Sequence, residues 1–164
     1  MLSMIILVMG VSGSGKTTIG QLLAESLHCE FRDADSFHSP ENIDKMRQGI
    51  SLNDLDRIPW LLAMQQAIQH WLQENQNVVL ACSALKASYR QYLLINDERV
   101  KLVYLKGSFE LIQKRLQDRH NHFMSEKLLQ SQFDTLEEPT DAILVDVFES
   151  PKEILQNIIM TLEI

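Results

Sequence analysis

Cysteine is nearly absent from this chain: Cys29 and Cys82 are the only two in 164 residues. They show no metal-ligand spacing, so both read as free buried thiols of a protein in a reducing cytoplasm. Long apolar runs are missing too. None approaches the ~20 residues that a membrane-spanning helix needs. The apolar start of the chain is too short, and lacks the basic flank, for a signal peptide. Basic residues are outnumbered, 15 Lys and Arg against 22 Asp and Glu, for a net charge of −7. That balance argues against a general nucleic-acid surface and requires any polyanion site to concentrate its positive charge locally. No repeat, low-complexity tract or linker interrupts residues 1–164, so the expectation is one domain with a sizeable core. The 45% hydrophobic and 23% charged content suits a soluble globular protein.

What is present is concentrated near the start. Gly10-Val11-Ser12-Gly13-Ser14-Gly15-Lys16-Thr17 is a complete G-x-x-x-x-G-K-T phosphate loop. It follows Met4 to Met9, an apolar run that reads as a buried parallel strand. It precedes a helical pattern with Ile19, Leu22, Leu23 and Leu27 on one face. In that context the glycines let main-chain N–H groups turn inward onto a phosphate, and the helix dipole faces the anion. Lys16 is placed for the β- and γ-phosphates and Thr17 Oγ for Mg²⁺, with Thr18 beside them on the nucleotide side.

Strand and helix patterns alternate along the rest of the chain. Strands are expected at 29–33, 77–82, 100–105 and 142–146. Helices are expected at 40–48, 57–74, 86–95, 108–119, 126–135 and 151–162, with Pro59 in the first turn of the third helix. Five strands alternating with helices predict an α/β fold, a parallel sheet covered on both faces, with ligands beyond the carboxyl ends of the strands.

Asp33-Ala34-Asp35-Ser36-Phe37-His38 follows the second strand directly. If the strand continues, alternation puts Asp33 and Asp35 on one side, near the γ-phosphate. One carboxylate would then accept the proton of an attacking hydroxyl while the other holds Mg²⁺ through water. A solvated Asx turn is the alternative for this stretch, and a structural hydrogen-bonding role the alternative for His38. The acid usual at the end of the third strand is missing: the sequence there is Ala81-Cys82-Ser83-Ala84-Leu85-Lys86. Metal support is therefore left to Thr17, to Asp33 or Asp35, or to water on Ser83. There is no N-K-x-D and no D-x-x-G, which argues against a GTP-dependent switch and for a small kinase.

Further stretches carry a resemblance. These are Asn42-Ile43-Asp44-Lys45-Met46, Gly49, LNDLDRIPWL at 52–61, CSALKASYR at 82–90 and YLKG at 104–107. HFM at 122–124, QFDTLEEP at 132–139 and Val145-Asp146-Val147 complete the set. With the phosphate loop and DADSFH, they make the chain similar, over nearly its whole length, to the gluconate kinase family of phosphate-loop kinases. The resemblance implies a fold like that of shikimate and nucleoside-monophosphate kinases. It also implies ATP-dependent phosphorylation of D-gluconate to 6-phosphogluconate with Mg²⁺, and a homodimer.

A substrate with one carboxylate and many hydroxyls needs cations and polar groups. Lys45, Arg57, Lys86 and Arg90 are the candidates, with Asp35, His38 and Ser83 lining the same site. Lys86 and Arg90 are four apart and share a helix face. Arg90, able to hold a carboxylate bidentately, is the expected carboxylate partner. Asp54 and Asp56 are expected to fix Arg57 and its helix start. Segment 115–125 resembles a lid, with Arg115 and Arg119 stabilising charge on the transferring phosphoryl group. A basic, solvated helix end is the alternative for both. The chain departs from the family pattern at Ala34, Ser39, Ser51, Leu55 and Asn121. Two other readings are a shikimate kinase, against which CSALK stands in place of a triple-glycine segment, and a nucleotide-binding module without catalysis. Lys16, Thr17, Asp33 and Asp35 speak against the latter.

Overall fold

A computed structural model describes residues 3–118 and 126–163. Five strands form one parallel sheet: β1 (Ile5–Met9), β2 (Glu30–Asp33), β3 (Val78–Ala81), β4 (Val100–Lys106) and β5 (Ile143–Asp146), in the order β2-β3-β1-β4-β5. The central position of β1 follows from its sequence. All five residues are apolar and all are buried, as a strand covered on both faces requires. Ile5, Leu7 and Met9 face α3 (Asp54–Gln73) and α4 (Ala87–Leu94), packing with Trp60, Met64, Ile68 and Leu93. Ile6 and Val8 face the opposite layer, α1 (Lys16–Ser26), α5 (Phe109–Gln117), α6 (Glu126–Thr135) and α7 (Pro151–Leu162). Trp60 and Trp71 are core residues. The expected α/β class and parallel five-stranded sheet are what the chain forms.

Two local points stand out, a changed helix start and an open alternative decided. The third helix begins at Asp54, not 57, because Asn53 and Asp56 form a capping box: Asn53 Oδ1 accepts from Asp56 N–H at 2.8 Å, and Asp56 Oδ2 from Asn53 N–H at 3.0 Å. Pro59 therefore lies inside α3, and its missing N–H leaves the Leu55 carbonyl without its helical donor, at a residue 77% exposed and so open to solvent. The second point matters more. The strand does not continue past Asp33 but closes into a 3₁₀ turn, Ala34–Phe37. Beyond it α2 (Pro40–Arg47) starts on Ser39, whose hydroxyl accepts from Asn42 N–H.

Strand register brings the site together. Val8 and Asp33 both pair with Ala81, and Met9 pairs with Tyr104. The phosphate loop, Asp33 and the Cys82–Lys86 loop therefore emerge at one carboxyl edge.

Candidate active site

The phosphate loop joins β1 to α1. Gly13 has φ +81°, a left-handed conformation that glycine adopts without strain. Gly10 is needed for space: a Cβ there would sit 2.5 Å from Ser14 Oγ and 2.9 Å from the Leu105 carbonyl. Lys16 arches back over the loop, its Nζ donating to the Gly10 carbonyl at 2.9 Å and the Val11 carbonyl at 3.1 Å. Burial lowers the Lys16 pKa, opposed by the charges of Asp35 and Asp33. The thiol of Cys82, at the tip of β3, is pushed up to about 12 by burial and carries no charge at neutral pH.

The 3₁₀ turn changes how the two carboxylates are held. Asp33 Oδ1 accepts from Asp35 N–H at 2.9 Å, so Asp33 caps the turn that presents Asp35. The strand ends at Asp33 as expected, and of the two alternatives for this stretch the Asx turn is the one that forms, so the two carboxylates do not alternate along a continued strand. Desolvation, then the charge of Asp33, raises the Asp35 pKa, with Lys16 pulling the other way. A carboxylate made more basic beside a phosphate-loop lysine is suited to accept a hydroxyl proton.

A second wall is built from α2, α3 and α4. His38 stacks on Trp60 with ring centroids 4.3 Å apart and 11° between planes. Trp60 Nε1 donates to the Ala34 carbonyl at 2.7 Å, tying that wall to the aspartate turn. Burial and then Arg57 lower the His38 pKa, which keeps its imidazole neutral at pH 7. Buried Asn42 donates through Nδ2 to the Asp56 carbonyl at 2.8 Å and lies 3.4 Å from His38 Nδ1. Lys45 pairs with Asp56 at 2.9 Å. Arg57 Nη1 donates to Tyr89 Oη at 3.2 Å, Tyr89 Oη donates to Asp54 at 2.5 Å, and Lys86 pairs with Asp54 at 3.1 Å. Among the described residues no carboxylate forms an ion pair with Arg57. Asp56 thus caps the helix as expected, whereas Asp54 holds Tyr89 and Lys86.

Arg90 is the principal correction. It shares a helix with Lys86 but is only 6% exposed. Its Nη1 donates to the Ala84 and Leu85 carbonyls at 2.8 and 3.1 Å, and its Nη2 to the Glu137 carbonyl at 2.7 Å. The guanidinium braces the loop after β3 from behind, its donors engaged by main-chain carbonyls rather than turned toward an open pocket. Ser83 lies half-buried on that same loop.

On the other side of the phosphate loop, a cleft of about 270 Å³ is lined by Ser14, Gly15, Thr18, Arg115, Asp118 and Glu149, among others. Arg115 belongs to the last turn of α5, not to a separate lid, and its Nη2 donates to the Val147 carbonyl. Arg119, His120 and the remainder of the lid expected through residue 125 lie outside the described residues. Sequence reasoning assigned no role to Tyr89 or Gln132. Gln132 Oε1 accepts from the Ser12 N–H at 2.8 Å, and its Nε2 donates to Ser12 Oγ at 3.0 Å. Both lie in stretches already singled out, CSALKASYR and QFDTLEEP, but spacing alone does not reveal contacts made across the fold.

Residues 12–163 match the family described as Shikimate kinase. A probable gluconokinase of Dictyostelium discoideum is 46% identical over 94% of this chain and 84% of its own. The gluconokinase of Arabidopsis thaliana is 45% identical over 94% of this chain and 90% of its own. The chain belongs to the gluconokinase family. The crystal structure of a gluconokinase from Sinorhizobium meliloti 1021 superposes with a TM-score of 0.88 at 40% identity, covering 99% of this chain and 93% of that one. A shikimate kinase from Aquifex aeolicus vf5, with a TM-score of 0.62, 20% identity and coverage of 98% and 96%, shares the fold alone. By the match over residues 12–163 the chain also falls within the broader family described as Shikimate kinase.

Proposed function

We propose that this chain transfers the γ-phosphoryl group of ATP to the terminal hydroxyl of D-gluconate, giving 6-phospho-D-gluconate and ADP, as a single kinase domain. The observation that carries the reading is the 45% identity to a gluconokinase across nearly the whole chain. A phosphate loop beside the Asp33–Asp35 turn supports it.

ATP places its phosphates on the loop from Gly10 to Thr17 and its base in the cleft beside Thr18 and Arg115. The cleft is close to the size range of small-ligand pockets. Lys16 leaves the Gly10 and Val11 carbonyls for the β- and γ-phosphates. Arg57, with Lys86 and Lys45 nearby, holds the gluconate carboxylate, and His38 and Ser83 contact its hydroxyls. Asp35 accepts the proton of the reacting hydroxyl as the new oxygen–phosphorus bond forms and the bond to the bridging oxygen of ADP breaks.

The donor set fits Mg²⁺, which takes one or two carboxylates together with substrate phosphates and water. The Thr17 hydroxyl and the Asp33 carboxylate are the groups that would hold it. No cluster of three or more His, Cys, Asp or Glu suited to a metal occurs among the described residues. When bound, the ion neutralises charge on the β- and γ-phosphate oxygens.

A coupled ADP-release assay tests the reading with gluconate, shikimate, other sugar acids and nucleoside monophosphates as acceptors. Gluconate should give the highest kcat/KM. Turnover of shikimate or a nucleotide with none of gluconate would overturn it. Sedimentation of the same preparation tests the homodimer that the resemblance implies.

A further inference from the structure

A loop with three glycines in six residues is entropically expensive to hold in one shape. Two contacts restrain this one from outside. Gly13 lies against Leu116 and Ile112 of α5, so close that a Cβ there would meet Leu116 at 3.0 Å. One residue earlier, Ser12 is gripped by Gln132 through both ends of its amide, the oxygen on the main-chain N–H and the nitrogen on the hydroxyl. Among side chains in their usual state at neutral pH, the primary amide of Asn or Gln is the group that offers an acceptor and a donor side by side in this way.

Gln132 is itself held firmly. The next residue, Phe133, packs edge-on against Phe109 of α5 at 5.5 Å, and Leu129 one turn earlier is 1% exposed. Downstream, Glu137 N–H donates to the Leu85 carbonyl at 2.8 Å, and Glu137 Oε1 accepts from Ala87 N–H at 2.7 Å. One short segment therefore touches the phosphate loop at Ser12, the loop after β3 at Leu85 and the first residue of α4, Ala87.

We infer that Gln132 is a positioning residue for nucleotide binding: it holds the phosphate loop, through Ser12, in the shape that receives ATP. It touches no reacting atom and acts through the loop it holds. The inference rests on the kinase reading above but not on the identity of the acceptor.

The test is direct titration of MgADP into the protein by calorimetry, with no acceptor present, for wild type and Gln132→Met. Methionine keeps nearly the same volume and loses both hydrogen bonds. The expected result is about tenfold weaker MgADP binding. KM for ATP should rise similarly, while KM for gluconate at saturating ATP stays within about twofold and Tm within about 3 °C. Unchanged MgADP affinity in Gln132→Met would overturn the inference. So would equal increases in both KM values with a lowered Tm, which would make Gln132 a general packing residue. A double variant adds a second check: in a Ser12→Ala background the same methionine substitution should weaken MgADP less, because one of its two bonds is already gone. Fully additive losses would count against the latch. Wild-type protein that binds MgADP but does not phosphorylate gluconate would sink the proposed substrate while leaving this experiment intact.

Discussion

Arg90→Lys separates bracing from substrate binding. The wild-type guanidinium makes three hydrogen bonds to main-chain carbonyls, from a side chain 6% exposed. A lysine ammonium is a point donor on a different stem and cannot span the Ala84–Leu85 pair and Glu137 together. Charge-assisted hydrogen bonds contribute about 1.5–3 kcal/mol each. Losing two of them and relaxing around the new amine gives a net loss of about 3 kcal/mol. For a domain of this size each kcal/mol corresponds to about 2–4 °C. The expected fall in Tm is therefore about 6–12 °C, read by scanning calorimetry. KM for gluconate, from coupled ADP release well below the new Tm, should move far less than it does for Arg57→Ala. A Tm within about 2 °C of wild type, together with a tenfold rise in gluconate KM, would refute the reasoning. It would return the Arg90 guanidinium to the acceptor pocket.

Lys16→Ala should abolish transfer with the fold intact, as circular dichroism and a turnover assay would establish, because the lysine neutralises phosphate charge in the transition state. Asp35→Asn should lower kcat by roughly 10²–10⁴ while raising thermal stability at neutral pH. The sign follows from the raised pKa of Asp35: its ionised form is disfavoured by folding, so it opposes stability above the unfolded pKa and is relieved as pH falls through the folded one. The acid limb of kcat/KM should accordingly lie above the ordinary aspartate range of about 3.9. A wild-type turnover rate in Asp35→Asn would remove it as the base. Arg57→Ala should raise gluconate KM by about tenfold or more, with KM for ATP little changed. The reverse pattern would assign the guanidinium to the nucleotide.

The strand–loop–helix at the start of the chain is legible because local rules decide it. An all-apolar run, three glycines and an amphipathic helix each point to the same structure. The final helix, 151–162, is likewise found with its expected bounds, since Ser150 and Pro151 mark its start unambiguously. The start of α3 is equally available in the Asn53–Asp56 box, a stronger local signal than the tolerance of proline in a first turn. Arg90 was not legible in the same sense. Helical spacing places it on the same face as Lys86, yet the carbonyls that accept its hydrogen bonds belong to residues 84, 85 and 137. Only the folded chain brings Glu137 to that face. The same holds for Asp33, whose strand-ending position was clear but whose hydrogen bond to the next turn depends on where the sheet stops.

The phosphate loop stands between two sets of walls drawn from different parts of the chain. The cleft beside Thr18 draws on α1, α5 and α7, whereas the His38–Arg57–Lys86 wall draws on the aspartate turn, α3 and the start of α4. Under the proposed function, donor and acceptor contacts are thereby set by different parts of the chain. On that reading, side chains such as His38, Lys45 and Arg57 are free to vary without touching the cleft beside Thr18, whereas Asp35 and the core residue Trp60 in the same stretch are not. Gln132 marks the limit of that freedom, because the segment that carries it also carries Glu137 and so reaches the loops of both halves.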